Sequence, residues 1–216
     1  LTHNGKKILV GCAVGHLYTV AEKDKSFAYH TFDLEWKASY EVNKNSKFTK
    51  KYLNLLKSLA KQADTFIIST DKDLEGELIG YNILRFAFNK KDAKRMEFST
   101  LTKDDLINSY ENAKEHIDFP LAEAGETRHY MDFLWGINTS RALTLAIKAN
   151  GMFKIMSSGR VQGPSLKILA EREKEILAFK PVPYWQIQAD GIVNNHLITT
   201  WHKKDRFMKL EDANTV

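Results

Sequence analysis

The 216-residue sequence contains one cysteine, Cys12, and no uncharged apolar run long enough to cross a membrane. A single cysteine cannot form an intramolecular disulfide, and no CxxC pair or Cys/His cluster has the spacing of a structural zinc site. A bilayer span needs about 18 consecutive apolar residues, and the N-terminal stretch has no secretory signal pattern. We therefore expect a cytoplasmic protein with no membrane partner.

The chain also lacks the composition of a disordered protein. Hydrophobic residues make up 43% of the sequence and charged residues 27%, which is close to average globular usage. The length allows one large domain or two small ones. The net charge of +5 is compatible with an anionic partner but does not identify one.

Acidic residues are absent from two long stretches. Residues 43–62 contain six lysines and no acid, and residues 133–170 contain five basic side chains and no acid. The second stretch suits contact with a phosphate backbone, although a solvated helix face produces the same pattern.

The first part of the chain alternates strand and helix patterns. Apolar runs predict a buried strand over residues 8–14 and another over 65–70, and apolar spacings of three and four predict a helix over 48–59. A second helical pattern starts at Gly76. Thr102 with Asp105 forms a capping box that opens a further helix. This alternation indicates an α/β fold.

Strand patterns disappear after residue 118. Residues 121–148 are compatible with helix, with Gly125 and Gly136 as expected interruptions, and residues 161–177 form a second helical stretch. Alternating strands return after Pro183, the second of them over residues 196–201. We therefore predict domain boundaries near residues 118 and 182.

Four carboxylates lie within seven residues, at Asp71, Asp73, Glu75 and Glu77. At the end of a buried strand, Asp71 and Asp73 would share one face, and clustered carboxylates repel one another unless a cation neutralises them. Oxygen ligands suit Mg²⁺. Helix capping would explain one or two of these residues. A calcium-binding EF-hand fits poorly, because Asn82 stands where a bidentate glutamate is required.

Five motifs carry a resemblance to a known family. The D-K-D-L-E-G-E run at 71–77 resembles the acidic motif of the Toprim fold. S-S-G-R-V-Q-G-P-S-L at 157–166 and V-G-H-L at 14–17 are similar to elements of type IA DNA topoisomerases. G-I-N-T-S-R-A at 136–142 and F-K-P-V-P-Y-W at 179–185 resemble the archaeal and topoisomerase III-like branch. The likeness covers essentially the whole chain.

The resemblance implies a Toprim-like, Rossmann-like α/β domain over residues 1–118 that lacks its first strand. An α-helical DNA-binding domain over 119–182 and the start of a β-rich gate domain over 183–216 would follow. The implied enzyme cleaves one DNA strand through a 5′-phosphotyrosine, passes a strand and reseals without ATP. Its partner would be single-stranded or negatively supercoiled DNA, and we expect a nucleoid-associated monomer.

The resemblance also implies roles for individual residues. Asp71, Asp73 and Glu75 would bind Mg²⁺ and act in catalysis, with Glu77 close by. Arg160 would hold a backbone phosphate. The remaining implied DNA-binding positions are Ser158, Gly159, Gln162, Arg128 and Asp132. Arg128 and Asp132 are also spaced as an intrahelical ion pair. His16 is a weaker candidate, since such a histidine is more often part of a turn.

Two features of the family pattern are missing from these residues. There is no leading strand with a catalytic glutamate, and none of the eight tyrosines is followed by proline and arginine, the context of the family's nucleophile. We therefore expect the 216-residue chain to be unable to cleave DNA by itself. A Toprim primase or nuclease, or a non-catalytic single-stranded DNA-binding module, is the alternative interpretation.

Overall fold

The computed structural model describes residues 1–24, 27 and 29–216. Contacts divide the chain into two units, Leu1–Gly163 and Pro164–Val216. The first unit contains, in chain order, β1 (Thr2–His3), β2 (Lys6–Lys7), β3 (Tyr18–Glu22), β4 (Leu34–Ala38), α1 (Ser39–Val42), a 3-10 turn (Lys44–Ser46), α2 (Thr49–Ala60), β5 (Ile67–Ile68), α3 (Leu74–Asn82), a π-helical turn (Ile83–Ala87), β6 (Lys94–Arg95), α4 (Lys103–Glu111) and α5 (Phe119–Ala149).

Two small sheets carry the core of this unit. β3 and β4 are antiparallel, with Tyr18 opposite Ala38, whereas β5 and β6 are parallel. The predicted helix over 48–59 is confirmed as α2, which buries Leu53 and Leu56 against the first sheet. A second cluster lies around β5 and contains Ile68, Leu84, Ala93 and Ile117. The predicted α/β character is therefore confirmed.

The predicted buried strand over residues 8–14 is wrong. This segment has no regular secondary structure, and Val10 is 70% exposed. A strand requires a paired neighbour, and within residues 1–24, 27 and 29–216 no strand is paired with it. The segment instead passes close to α2, where a Cβ on Gly11 would lie 2.4 Å from Leu56 Cδ2.

Helix α5 is longer and more regular than the sequence predicts. It runs without a break over 31 residues, and the Asp118 side chain caps it by accepting from Leu121 N over 3.0 Å. The expected interruptions at Gly125 and Gly136 are wrong. Gly125 instead allows α5 to approach α3, because a Cβ there would lie only 2.6 Å from the carbonyl oxygen of Leu74.

The second unit is small. It contains most of α6 (Gln162–Ala178), the antiparallel pair β7 (Gln188–Val193) and β8 (His196–Trp201), and α7 (Leu210–Asn214). Asn194 and Asn195 connect the two strands with φ of 51° and 61°, which is the positive-φ pair of a type I′ turn and a conformation that asparagine tolerates. Helix α6 and strand β8 match their predictions.

The domain boundaries near residues 118 and 182 stay predictions. Across the described part of the chain, no helix is long and apolar enough to cross a membrane.

Candidate functional site

The acidic loop, residues 71–77, follows β5 and includes the first turn of α3. Asp73 caps α3, since its Oδ1 accepts from Gly76 N over 2.7 Å. Thr70 Oγ1 donates to the Gly76 carbonyl over 2.7 Å and closes the loop. Gly76 is required by a close approach, because a Cβ would lie 2.2 Å from the Asp71 carbonyl oxygen. The turn therefore presents Asp71 and Asp73 to solvent at the start of the helix.

A buried arginine forms hydrogen bonds to the backbone of this loop from the protein interior. Arg95 is fully buried and donates to the carbonyl oxygens of Thr70 and Asp71, each over 2.8 Å. Its Nε also donates to Glu77 Oε2 over 2.7 Å. Glu77 Oε1 accepts in addition from Asp118 N over 2.9 Å. The structure thus places Glu77 in the interior, where it links the loop to the start of α5.

Glu75 lies at the centre of a polar cluster that also includes His16, His129 and Arg128. Both His16 Nε2 and His129 Nε2 lie 2.8 Å from Glu75 Oε2. Arg128 Nη1 lies 3.3 Å from Glu75 Oε1. The cluster therefore joins the V-G-H-L segment, the acidic loop and helix α5.

Contacts within this cluster shift the pKa values of Glu75 and His16. Burial raises the pKa of Glu75, but hydrogen bonds from His129 and His16 outweigh it, so the pKa lies below its ordinary value. Burial and the neighbouring His129 lower the pKa of His16, against the opposing effect of Glu75. Glu75 is consequently a carboxylate at neutral pH.

Arg160 is joined to the acidic loop through two side chains of α5. Arg160 Nε donates to Asp132 Oδ1 over 2.5 Å, and Arg128 Nε lies 3.8 Å from Asp132 Oδ2. Arg128 in turn contacts Glu75. The Arg160 hydrogen bond lowers the pKa of Asp132. The intrahelical pair expected of Arg128 and Asp132 is thus present, but it forms part of a longer chain of charges.

The segment before Arg160 is held against α5. Ser158 N donates to Ser140 Oγ over 2.9 Å, and Met156 N donates to Thr144 Oγ1 over 3.0 Å. Arg160 and Gln162 are exposed, and nothing lies within 4 Å of a Cβ built on Gly159. An incoming strand would therefore meet an open backbone at Gly159 beside two exposed polar side chains.

The exposed carboxylates fit Mg²⁺. The Asp71 carboxylate has no hydrogen bond or ion pair in the described part of the chain, and Asp73 uses only Oδ1 for its cap. Carboxylate oxygens are the ligands that Mg²⁺ prefers, and the ion retains several waters. Asp71 and Asp73 could hold such an ion directly. In Glu75, Oε2 is held by the two histidines and Oε1 contacts Arg128.

One basic residue of the acid-free stretch is already engaged. Both terminal nitrogens of Arg141 donate to the Glu22 carboxylate over 2.7 Å. This bidentate pair is only 14% exposed on each side, so it fastens α5 to β3. Arg141 is therefore poorly placed to receive a phosphate.

The sequence analysis did not identify His129 or Arg95. His129 lies one helical turn after Gly125, which packs on α3, and three residues before Asp132. This spacing could have placed His129 on the face of α5 that meets the acidic loop. Arg95 carried no comparable signal, because a basic residue in a short strand is usually exposed.

Two family models match this chain. Residues 4–101 match the Toprim domain, and residues 116–216 match a family described as DNA topoisomerase. The fold and the acidic loop therefore define a Toprim protein in which a topoisomerase helical region follows.

Individual relatives agree with both matches. The chain is 45% identical to DNA topoisomerase 1 of Pyrococcus horikoshii over 98% of its own length and 31% of that protein. It is 47% identical to DNA topoisomerase 1 of Methanocaldococcus jannaschii over 100% of its length and 28% of that protein. The chain thus spans less than a third of these relatives. Over its whole length the chain is therefore similar to part of archaeal DNA topoisomerase 1.

A solved structure shows the same likeness. Full-length topoisomerase I from Thermotoga maritima superposes with a TM-score of 0.64 at 26% identity, covering 94% of this chain and 32% of that one.

Proposed function

We propose that this chain is the metal-binding and strand-binding part of a type IA DNA topoisomerase. The whole protein would cleave one DNA strand through a 5′-phosphotyrosine, pass a strand through the gap and reseal it without ATP. Such an enzyme relaxes negatively supercoiled DNA or separates linked molecules, and it would be associated with the nucleoid.

One observation carries this proposal: an unbroken series of charged contacts runs from the acidic loop to Arg160. Glu75 contacts Arg128, Arg128 contacts Asp132, and Asp132 contacts Arg160. These contacts connect Glu75 with Arg160, which is 85 positions further along the sequence. A metal-binding loop and a phosphate-binding arginine must lie close together if both act on one phosphodiester.

Arg160 is suited to hold a backbone phosphate. Its guanidinium is planar and donates through a fixed fork, which matches two phosphate oxygens. Its present partner, Asp132, is 39% exposed and the arginine side chain is 48% exposed. An ion pair exposed to water is weak because solvent screens it, so a phosphate could replace or share the carboxylate. Asp132 would then keep the guanidinium oriented until DNA arrives.

The carboxylates would act on the other side of the same phosphate. Asp71 and Asp73, with Glu75, would hold Mg²⁺, which supplies positive charge near the scissile phosphodiester and orients the 3′-hydroxyl for resealing. Asp73 would contribute through the oxygen that its helix cap leaves available. The chain is proposed to act on single-stranded DNA as a monomer.

The proposal is tested by binding of a fluorescent single-stranded oligonucleotide to the 216-residue chain at several salt concentrations. Arg160→Ala should weaken binding across sequences and reduce the salt slope by about 0.7, the value for one lost phosphate contact on a single strand. Arg172→Ala is the matched control, since Arg172 is also exposed and paired with a carboxylate, Glu175, over 2.8 Å. Equal affinity of the Arg160 variant and the unmodified chain would contradict the assignment.

The metal assignment has its own test. Asp71→Asn combined with Asp73→Asn should abolish Mg²⁺ binding in isothermal titration calorimetry. The fold should survive, because asparagine caps a helix as well as aspartate does. Undiminished Mg²⁺ binding in the double variant would show that Asp71 and Asp73 do not bind the metal.

A further inference from the structure

Two imidazoles and one carboxylate converge beside the acidic loop. His16 Nε2, His129 Nε2 and a Glu75 carboxylate oxygen all lie within 4.8 Å of one another. Both nitrogens approach the same atom, Glu75 Oε2, at 2.8 Å. The two imidazole rings have their centroids 4.7 Å apart. Three potential metal ligands therefore point at one small volume.

Separate parts of the fold position these three side chains. The His16 carbonyl oxygen accepts from Ser39 Oγ over 2.8 Å, which fixes the loop before β3. Glu75 belongs to the first turn of α3. His129 is on α5, where its ring lies between those of His16 and Trp36. Contacts within the protein thus hold the three side chains in place.

We propose that His16, His129 and Glu75 form a binding site for a divalent transition metal such as Zn²⁺ or Co²⁺. Two imidazole nitrogens and one carboxylate oxygen are a ligand set that these ions accept, with the remaining positions open to water. Mg²⁺ prefers oxygen ligands and an octahedron of waters. The site is therefore chemically distinct from the one assigned to Asp71 and Asp73.

Two of the three ligand separations already suit a single ion. Ligand atoms bound to one ion at about 2.0–2.2 Å lie roughly 3 Å apart, close to the 2.8 Å that separates each imidazole nitrogen from Glu75 Oε2. All three side chains are partly exposed, between 25% and 37%. Ions therefore have access from solvent.

The surroundings of His16 indicate a reversible site and not a tight structural one. Its Nδ1 is buried and has no hydrogen-bond partner among the described residues. An imidazole that binds metal through Nε2 carries its proton on Nδ1, and an outer partner normally accepts that proton. The lack of such a partner typically weakens metal affinity by about 10- to 100-fold.

Because Glu75 is shared with the proposed Mg²⁺ site, the two metals should affect each other's binding; this expectation rests on the proposed function. Glu75 Oε2 faces the two histidines, whereas Oε1 contacts Arg128. Two cations that share this carboxylate would bring their positive charges close together, so each metal should weaken the binding of the other, and the effect must be reciprocal.

The test is titration of the 216-residue chain with Co²⁺, followed by visible absorption and then by displacement with Zn²⁺. The unmodified chain should show the d–d bands of Co²⁺ with nitrogen ligands. His129→Ala and Glu75→Gln should each weaken Co²⁺ binding by more than about tenfold, since even an outer-shell change costs about that much. His116→Ala is the matched control, because His116 also contacts a carboxylate, Asp92, over 2.6 Å, but without a second histidine.

Several results would overturn the proposal. One is the absence of Co²⁺ bands in the unmodified chain, and another is the same titration curve in His129→Ala. Far-UV circular dichroism identifies variants that do not fold, in which case His16→Gln replaces them with the same expectation.

The aspartate double variant separates this inference from the proposed function. Asp71→Asn with Asp73→Asn should retain Co²⁺ binding. If this variant also keeps Mg²⁺, the magnesium assignment fails and the histidine site stands. If it loses Co²⁺, cobalt was bound at the aspartates and the histidine site is refuted.

Discussion

Arg95 and Glu77 form an ion pair that is almost completely shielded from water. Arg95 Nε lies 2.7 Å from Glu77 Oε2, and the two side chains are 0% and 1% exposed. A buried charge is tolerated only when it is paired and fully hydrogen-bonded. Arg95 meets this condition through backbone carbonyls as well as through Glu77. The pair therefore supports the acidic loop and is not exposed to a ligand.

Glu77→Ala should destabilise the protein strongly. The substitution leaves the Arg95 charge buried and unpaired, which costs about 3–5 kcal/mol of unfolding free energy. Urea denaturation followed by far-UV circular dichroism measures this loss. Glu115→Ala serves as the control, since Glu115 pairs with Lys94 at the surface and should cost less than about 1 kcal/mol. Similar stabilities of the two variants would show that Glu77 is not structural.

Gly125→Ala should weaken the contact between α3 and α5. A Cβ at this position would lie 2.6 Å from the Leu74 carbonyl oxygen and 3.2 Å from Leu78 Cβ. Because the nearest atom belongs to the backbone, the helices must move apart, at a cost of about 1–3 kcal/mol. Thermal or urea unfolding reports the change.

Gly136→Ala is the matched control on the same helix. The nearest atom to its added Cβ is the Ser158 carbonyl oxygen at 3.7 Å, an ordinary contact. Alanine in a helix interior is favoured over glycine by about 0.8–1.0 kcal/mol. We expect unchanged or higher stability, and destabilisation equal to that of Gly125→Ala would contradict the close-approach argument.

The pKa of His16 should lie below its ordinary value of 6.5, mainly because burial disfavours the charged ring and because His129 repels it. A histidine side-chain NMR titration measures the midpoint. His129→Ala should raise the midpoint, since the repulsion is removed. Glu75→Gln should lower it further, since Glu75 favours the charged form. A midpoint at or above 6.5 in the unmodified chain would contradict this prediction.

The lowered pKa of His16 also makes the unfolding free energy depend on pH. The unfolded chain binds a proton at His16 more readily than the folded chain does, so this group lowers the unfolding free energy as the pH falls through 6.5. Above that pH, His16 is neutral in both states and contributes no pH dependence. The effect should be smaller in His129→Ala.

Local patterns were predictable where a few neighbouring residues decide the structure. Thr102 Oγ1 accepts from Asp105 N over 3.4 Å and begins α4, which is one half of the predicted capping box. The other half differs, since the Asp105 carboxylate accepts from Ser99 N and Thr100 N. The acidic run likewise lies between a strand and a helix. Asp73 shows that the capping interpretation was partly correct, since it serves the helix while its carboxylate remains exposed.

Contacts between distant parts of the chain were not predictable in this way. His129 meets His16 across 113 positions, and Arg141 meets Glu22 across 119. Neither pair is encoded by spacing, because the tertiary fold alone decides which surfaces meet. The strand predicted over residues 8–14 is wrong for a related reason. An apolar run is compatible with a buried strand, but a strand forms only where a neighbouring strand pairs with it.

The uninterrupted course of α5 determines the geometry of the proposed reaction centre. A helix of 31 residues is about 46 Å long at 1.5 Å per residue, and the positions that touch the acidic loop and Arg160 share its first half. Inserting one residue between His129 and Asp132 would turn the two positions about 100° relative to each other. An insertion or deletion in this part of α5 would therefore misalign the two contacts, whereas substitutions at other positions of the helix leave their spacing unchanged.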